Sequence, residues 1–179
     1  LCRWLRRDGY EFSDGRLGRA GSSGLTDTLR SVAFQLDARH LAKHVERIEA
    51  FVDSDPALAI GSAKELLETC CKVILEERGE LTQEQMELPR LAKKTFATLR
   101  LLPDDVPDTA RGVHAIRQLL SNLATVTHAL AEIRNLYGTG HGRSGRVRGL
   151  TARHARLAVG AAVTLSTFML DTHSERAST

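Results

Sequence analysis

A chain of 179 residues has the length of one ordinary domain and buries enough surface to need no disulfide or metal support. Apolar residues make up 42% and charged residues 26% of the chain, which indicates a globular protein and excludes a disordered one. The formal net charge of +3 excludes a strongly basic protein that binds nucleic acid through its overall charge.

Targeting features and cysteine usage both predict a cytoplasmic protein. The longest uncharged apolar run, residues 157–170, is too short to cross a bilayer, and residues 2–8 lack the apolar stretch of a signal peptide. The chain has three cysteines, and the neighbours Cys70 and Cys71 are poorly placed to pair with each other. We interpret them as buried reduced thiols, with redox chemistry as the alternative.

The first 24 residues are predicted to form an irregular segment, and residues 25–179 a helical domain. Glycines separate a few aromatic residues in the first segment, which favours turns, and Asp14-Gly15 favours a short hairpin. From residue 26 to residue 53 apolar side chains recur every three to five positions. This spacing predicts a long amphipathic helix with some drift.

Two shorter helices are predicted next. The first runs from about residue 56 to residue 78, with Asp55 as its N-cap, Pro56 in its first turn and Gly79 as its stop. The second begins near Pro89 and ends near residue 101, before an acidic loop.

Two long helices complete the predicted fold. The first, residues 109–136, carries an apolar stripe, and the second, residues 152–172, is rich in Ala, Val and Leu and is therefore expected to be largely buried, with Thr151 as its cap. A glycine-rich basic loop joins them. The predicted fold class is all-α, an antiparallel bundle of four to five helices.

The chemically informative residues follow the first long helix. Arg134 lies near its end, and His141 follows between two glycines that let the backbone approach a ligand. Histidine exchanges a proton near neutral pH, and arginine neutralises charge on a phosphoryl group, so the pair suits phosphate chemistry without a metal. The pattern is weak by itself: Arg134 as a helix cap and His141 as an ordinary loop residue stay open.

Positive charge is concentrated around this pair. No Asp or Glu lies between Ile133 and Leu170, whereas six arginines do: Arg134, Arg143, Arg146, Arg148, Arg153 and Arg156. The central three, Arg143, Arg146 and Arg148, fit a phosphate-binding surface and a solvated loop equally well.

Other residue patterns favour neither a metal nor a cofactor. His40 and His44 lie four residues apart without an obvious third ligand, and Cys70-Cys71 lacks a second pair. No phosphate-binding loop or dinucleotide fingerprint is present, and an aromatic content of 4% disfavours a reader that stacks on single-stranded bases. Polar residues recur every seven positions on the long helix and predict an exposed face, with a groove as the alternative: His114, Ser121, His128 and Asn135.

Three stretches of the sequence resemble a known family. Residues 134–142, which read Arg-Asn-Leu-Tyr-Gly-Thr-Gly-His-Gly, and residues 154–159 resemble the C-terminal domain of bacterial abortive-infection proteins, and residues 55–75 resemble another recurrent helix of the same family. That family is similar to a branch of the higher eukaryotes and prokaryotes nucleotide-binding (HEPN) superfamily. Its signature is an arginine, usually followed by a polar residue such as asparagine, with four to six residues in all before a histidine. Arg134, Asn135 and His141 fit this signature at the longest of these spacings.

The resemblance implies a helical bundle that dimerises so that two Arg/His pairs face a shared cleft. It also implies a metal-independent endoribonuclease of phage defence or of a toxin–antitoxin system. His141 would act as base on the ribose 2′-hydroxyl or as acid on the leaving oxygen, Arg134 would stabilise the charged transition state, and Asn135 would orient Arg134 or the phosphate. Members paired with nucleotidyltransferase antitoxins often carry tyrosine where this chain has Arg143, so that partner is not expected.

The function expected from the resemblance is therefore a homodimeric, cofactor-free endoribonuclease with catalytic residues Arg134, Asn135 and His141. RNA would contact Arg143, Arg146 and Arg148, and an antitoxin or an upstream domain is a further expected partner. A non-catalytic RNA- or nucleotide-binding and dimerisation module, serving a domain before Leu1, is the alternative. A plain oligomerisation bundle is the third reading.

Overall fold

A computed structural model describes residues 10–13, 16–19, 39–81, 86–137 and 151–177. A short antiparallel hairpin pairs β1 (Tyr10–Ser13) with β2 (Arg16–Arg19), with Ser13 opposite Arg16. The strands are thus joined at Asp14-Gly15, where the sequence predicted the hairpin.

Five helices pack together in the described part of the chain, and the predicted all-α fold is confirmed. The helices are α1 (Arg39–Phe51), α2 (Pro56–Glu77), α3 (Leu88–Thr98), α4 (Val113–Tyr137) and α5 (Ala152–Ala177), and a single 3-10 turn (Pro103–Asp105) lies between α3 and α4. The part of the first predicted helix before residue 39 lies outside the described residues.

The start of α4 and the end of α5 differ from the prediction for local reasons. α4 begins at Val113 rather than near residue 109, because Gly112 has a φ of +78°, which is not a right-handed helical conformation. α5 extends to Ala177, beyond the predicted residue 172, and the extra turn carries His173, which is buried against α2.

α2 begins and ends where its sequence predicts. The Asp55 carboxylate accepts a hydrogen bond from the Leu58 amide at 3.0 Å, and Pro56 occupies the first turn. At the other end Gly79 has a φ of +70°, its amide donates to the Glu76 carbonyl, and the next amide donates to the Leu75 carbonyl. This is the Schellman arrangement, which favours glycine because of the positive φ.

α2 is the central helix of the bundle and contacts each of the other four. Ten of its 22 residues are buried: Ala59, Ile60, Ser62, Ala63, Leu66, Leu67, Cys70, Cys71, Ile74 and Leu75. These positions cover most of the helix circumference. The core of the domain is therefore arranged around α2.

The C-terminal end of α2 is joined to α5 through a polar cluster. His173 is buried and accepts a hydrogen bond at Nδ1 from Arg78 Nε at 3.0 Å, and its Nε2 lies 2.6 Å from a Glu77 carboxylate oxygen. Arg78 Nη2 also donates to the His173 carbonyl at 2.9 Å. Since Nδ1 is an acceptor, Nε2 carries the proton and donates to Glu77.

α4 is only partly buried, unlike α2. Leu130 is 3% exposed and belongs to the core, whereas Ile116 and Leu119 in the first half of the helix are 40% and 63% exposed. Leu130 therefore packs in the core of its own chain and is not part of the exposed apolar surface of the helix. The exposed apolar side chains of α4 thus lie in its first half, at Ile116 and Leu119, and at its end, where Leu136 is 59% exposed.

Cys70 and Cys71 are buried free thiols, as predicted. Burial raises the pKa of the Cys71 thiol to about 12. Burial, together with the neighbouring Cys71, also raises the pKa of Cys70 well above its ordinary value, and Cys70 Sγ lies 3.7 Å from the Ser166 carbonyl of α5. Neither thiol is placed to act as a nucleophile near neutral pH.

The first prediction concerns the central position of α2. We expect Leu67→Ala to lower the free energy of unfolding by about 2–5 kcal/mol, because Leu67 is fully buried and its truncation leaves a cavity. The matched control is Leu157→Ala on α5, where Leu157 is 73% exposed and the expected change is within about 0.5 kcal/mol. Urea denaturation followed by circular dichroism measures both values. Equal effects would contradict the assignment of α2 as the buried centre.

The second prediction concerns the thiols. In a Cys2→Ser background, we expect a thiol reagent such as Ellman's reagent to be inert towards the native protein at pH 8 and to titrate both remaining cysteines in guanidinium chloride. Rapid reaction of the native protein would show that the thiols are accessible.

The raised thiol pKa also fixes the sign of a pH effect. Between about pH 9 and pH 12 the unfolded chain releases the Cys71 proton while the folded chain retains it, so this contribution to stability is present below pH 9 and is lost as the pH rises through that window. We expect Cys71→Ala to have a shallower alkaline loss of stability than the unsubstituted protein, measured by urea denaturation across that range.

Candidate functional site

Arg134 and Asn135 lie in the last turn of α4, and both side chains are exposed. A guanidinium at this end of a helix is stabilised by the helix dipole. Within the described ranges, however, no hydrogen bond or ion pair is found for Arg134, so its suggested role as a cap of its own helix carbonyls gains no support there.

Arg134 lines a small cleft between three helices, with a volume of about 70 Å³. Seven residues line the cleft: Arg47 of α1, Ala57, Leu58, Gly61, Ser62 and Glu65 of α2, and Arg134 of α4. The α2 residues recur every three or four positions and so form one strip along that helix. The cleft is a candidate site because it brings two guanidinium groups from distant parts of the sequence to one surface.

Glu65 lies among the basic side chains of α1. Its Oε2 atom is 3.1 Å from Arg47 Nη1 and 3.6 Å from His44 Nδ1. Thr69 donates to the backbone carbonyl of Glu65 at 2.8 Å and lies 3.3 Å from His44 Nε2, which ties this part of α1 to α2. Arg47 and Glu65 are each about half exposed, so their ion pair is accessible to solvent.

Gly61 and Ser62 form the α2 side of the cleft. No heavy atom lies within 4 Å of the position that a Cβ on Gly61 would occupy, so the space above this backbone is open. Ser62 is 1% exposed, and its Oγ has no hydrogen-bond partner in the described part of the chain. A buried hydroxyl without a partner is uncommon in folded proteins and calls for a physical explanation.

The sequence identified only part of this cleft. Arg47, Ser62 and Glu65 were not singled out as site residues, because each lies on a helix whose periodicity reads simply as core and surface. The one local indication was Gly61-Ser62, a small and polar interruption in an otherwise apolar stretch of α2.

The other predicted site residues lie outside the described residues. His141, Arg143, Arg146 and Arg148 belong to residues 138–150, so the structure does not place them relative to Arg134. The polar residues predicted to form an exposed face of α4 are exposed as expected: His114, Ser121, His128 and Asn135.

Several polar residues near the family-like stretches have structural partners. Arg156 at the start of α5 is paired with Asp53, in the turn between α1 and α2, and is thus not a free member of the basic stretch. Lys64 and Glu68 form an ion pair at 2.6 Å along α2. His154 Nδ1 accepts from the Thr151 amide at 3.2 Å at the start of α5. These contacts account for the residues without a role in a site.

The described residues contain no cluster of three or more His, Cys, Asp or Glu side chains arranged to hold a metal ion. None of the helices in the same ranges combines the length and apolar character needed to cross a membrane.

Comparison with known families identifies the domain. A profile of the Abi_C family, described as a HEPN-like domain, matches residues 39–173, a range that begins with α1 and ends within the last turns of α5. Neither curated proteins nor solved structures gave a significant match. Because the match covers well over half of the chain, including the helices that form the cleft, the chain belongs to the Abi_C family of HEPN-like domains.

Proposed function

We propose that this protein is a metal-independent endoribonuclease of an abortive-infection or toxin-type defence system. The observation that carries the proposal is the placement of Arg134, with Asn135 beside it, at the exposed end of α4 on an open cleft, in a chain of the Abi_C family. An accessible guanidinium without a partner in the described residues is available to a phosphate, which it binds through charge-assisted hydrogen bonds.

The proposed reaction needs a proton acceptor, a proton donor and a group that stabilises negative charge. His141 removes the proton of a ribose 2′-hydroxyl, the 2′-oxygen attacks the adjacent phosphorus, and the bond from phosphorus to the 5′-oxygen breaks as that oxygen takes a proton from a water molecule. The proton held by His141 then passes to the hydroxide that remains. The products are a 2′,3′-cyclic phosphate and a 5′-hydroxyl. Arg134 stabilises the additional charge on the phosphoryl oxygens, and Asn135 orients Arg134 or the phosphate.

Covalent geometry is compatible with this pairing. Only four residues of chain lead from Tyr137, the last residue of α4, to His141, which limits the separation of their Cα atoms to about 14 Å. The same segment leads on to Arg143, Arg146 and Arg148, which we propose as contacts for RNA phosphates outside the scissile bond.

The third prediction tests the active-site assignment. Purified protein is incubated with total and transfer RNA in EDTA, and the 3′ ends of the products are analysed for cyclic phosphate. We expect His141→Ala to lower the cleavage rate by at least about 100-fold, since a general acid–base group contributes about 10²–10⁴-fold. We expect Arg134→Ala to cause a loss of about 10²–10³-fold, because it removes a group that stabilises the transition state.

Matched controls come from exposed residues that do not line the cleft. His114→Ala, on α4, and Arg90→Ala, on α3, should leave cleavage unchanged. Full activity in His141→Ala and Arg134→Ala would overturn the assignment. RNA binding without any cleavage by the unsubstituted protein would favour a non-catalytic binding module.

We also propose that the protein acts as a homodimer through the exposed apolar face of α4. Ile116 and Leu119 lie three residues apart on one face of the helix and are substantially exposed, which is the surface character expected of an interface.

The fourth prediction tests this dimer. We expect the unsubstituted protein to sediment as a dimer and Leu119→Glu to sediment as a monomer, because burying an unpaired carboxylate in an interface is unfavourable. The control is Leu81→Glu, a residue that is 90% exposed in the segment between α2 and α3, which should remain dimeric. A monomeric unsubstituted protein, or a Leu119→Glu variant that stays dimeric, would contradict the proposal.

A further inference from the structure

We propose that the cleft between α1, α2 and α4 binds a backbone phosphate of RNA adjacent to the scissile one, with Arg47 as its principal ligand and Ser62 as a second donor. The inference rests on the proposed function, since it takes Arg134 to hold the scissile phosphate. It assigns a role to residues of α1 and α2 that lie far in sequence from the Arg134/His141 pair.

The charges of the cleft favour an anion. Arg47 and Arg134 line the same small cavity, and the one carboxylate among its lining residues belongs to Glu65. Glu65 Oε2 lies 3.1 Å from Arg47 Nη1, so its single negative charge is already paired with one guanidinium, and it lies 3.6 Å from His44 Nδ1. Arg134 has no such partner within the described ranges. The guanidinium charge therefore exceeds the carboxylate charge in the cleft.

Glu65 also explains how Arg47 is held before RNA binds. The pair is about half exposed on both sides, and such ion pairs contribute little to stability because water screens them. A phosphate offers the Arg47 guanidinium an acceptor of equal or greater charge, and a planar guanidinium binds it through two parallel hydrogen bonds. Arg47 can therefore exchange Glu65 for a phosphate without disturbing the packing of α1 against α2.

Ser62 and Gly61 supply the second, independent observation. Ser62 Oγ is buried at the cleft without a hydrogen-bond partner in the described residues, and its hydroxyl can donate to a phosphate oxygen. Beside it, the backbone of Gly61 leaves open the space that a larger side chain would fill. A phosphate oxygen that reached this part of the cleft would satisfy the hydroxyl.

The size of the cleft suits a phosphate group and is too small to enclose a whole nucleotide. Its volume of about 70 Å³ is well below the roughly 300–1,000 Å³ of sites that enclose small molecules. A phosphate group can be accommodated, whereas the base and sugar of a nucleotide must remain outside. This arrangement fits a nucleic-acid strand that passes over the surface and places one phosphate in the cleft.

The test is a binding measurement that does not depend on cleavage. The probe is a short fluorescein-labelled 2′-O-methyl oligoribonucleotide, which lacks the attacking hydroxyl, and its affinity for the full chain is measured by fluorescence anisotropy over a series of salt concentrations. We expect Arg47→Gln to weaken binding several-fold and to reduce the slope of log K against log salt by about 0.7, the value for one lost contact to a single strand. Ser62→Ala should weaken binding less.

Two further variants make the result specific to the cleft. Glu65→Gln removes the competing carboxylate and should tighten binding, whereas Arg90→Gln removes an exposed arginine of α3 that does not line the cleft and should not change the slope. An unchanged affinity and slope for Arg47→Gln would overturn the proposal, provided that its urea midpoint equals that of the unsubstituted protein. If the urea midpoint of Arg47→Gln is lowered, the same measurement is made on Arg47→Lys, which keeps the charge and should retain the slope.

Competition with inorganic phosphate distinguishes an RNA phosphate from a free anion as the ligand of the cleft. At matched ionic strength, sodium phosphate should displace the probe no better than sodium chloride, because a single phosphate lacks the contacts of a strand. Specific displacement by phosphate would instead assign the cleft to a free anion and overturn the RNA assignment. If Arg47→Gln changes binding while the unsubstituted protein cleaves no RNA, the proposed ribonuclease function fails and the phosphate site survives.

Discussion

The burial of α2 is the constraint on which the rest of the molecule depends. A helix of 22 residues that contacts four neighbours cannot tolerate unpaired polar groups on most of its circumference, and its buried positions are accordingly apolar or small. The capping groups at its two ends satisfy backbone groups that helix formation leaves open. The other helices are positioned by their contacts with α2, and so are the side chains that they carry.

The strip of α2 that lines the cleft has a different composition from its buried faces. At residues 57–65 the helix lines the cleft with alanine, leucine, glycine and serine, with one carboxylate at the end of the strip. The small side chains among them let α1 and α4 bring Arg47 and Arg134 to one surface without filling the space between them. The same helix thus supplies the apolar core and an open polar surface, and the division follows from the direction in which each residue points.

The helical class, the hairpin and the ends of α2 were predictable because each rests on local chemistry. Asp55-Pro56 and Gly79 specify where a helix begins and ends from the properties of those residues alone. The start of α4 was predicted a few residues too early, because the positive φ of Gly112 is set by the turn before it and not by apolar spacing. Arg134 was singled out by its chemistry beside the glycine-rich loop, and the catalytic roles of Arg134 and Asn135 came from a resemblance, which depends on their order in the chain. The convergence of Arg47, Ser62 and Arg134 was not predictable, since it depends on how α1 and α4 pack against α2, and a single sequence does not encode that packing as a pattern.

The structure separates residues that maintain the fold from residues that shape the cleft. Leu66 and Leu67 of α2 are fully buried, whereas Arg47 of α1, Glu65 of α2 and Arg134 of α4 contact solvent. Substitution of the exposed charges alters the electrostatic field in the cleft without creating a cavity, so a defect in RNA binding can be observed in a protein of unchanged stability.

Ser62 is the exception among the cleft residues, because its hydroxyl is buried and lacks a partner in the described residues. Replacing it with alanine removes an unsatisfied polar atom, so the change should leave stability equal or raise it while it weakens phosphate binding. That combination, stability retained and affinity lost, is expected of a polar group that is kept for a ligand.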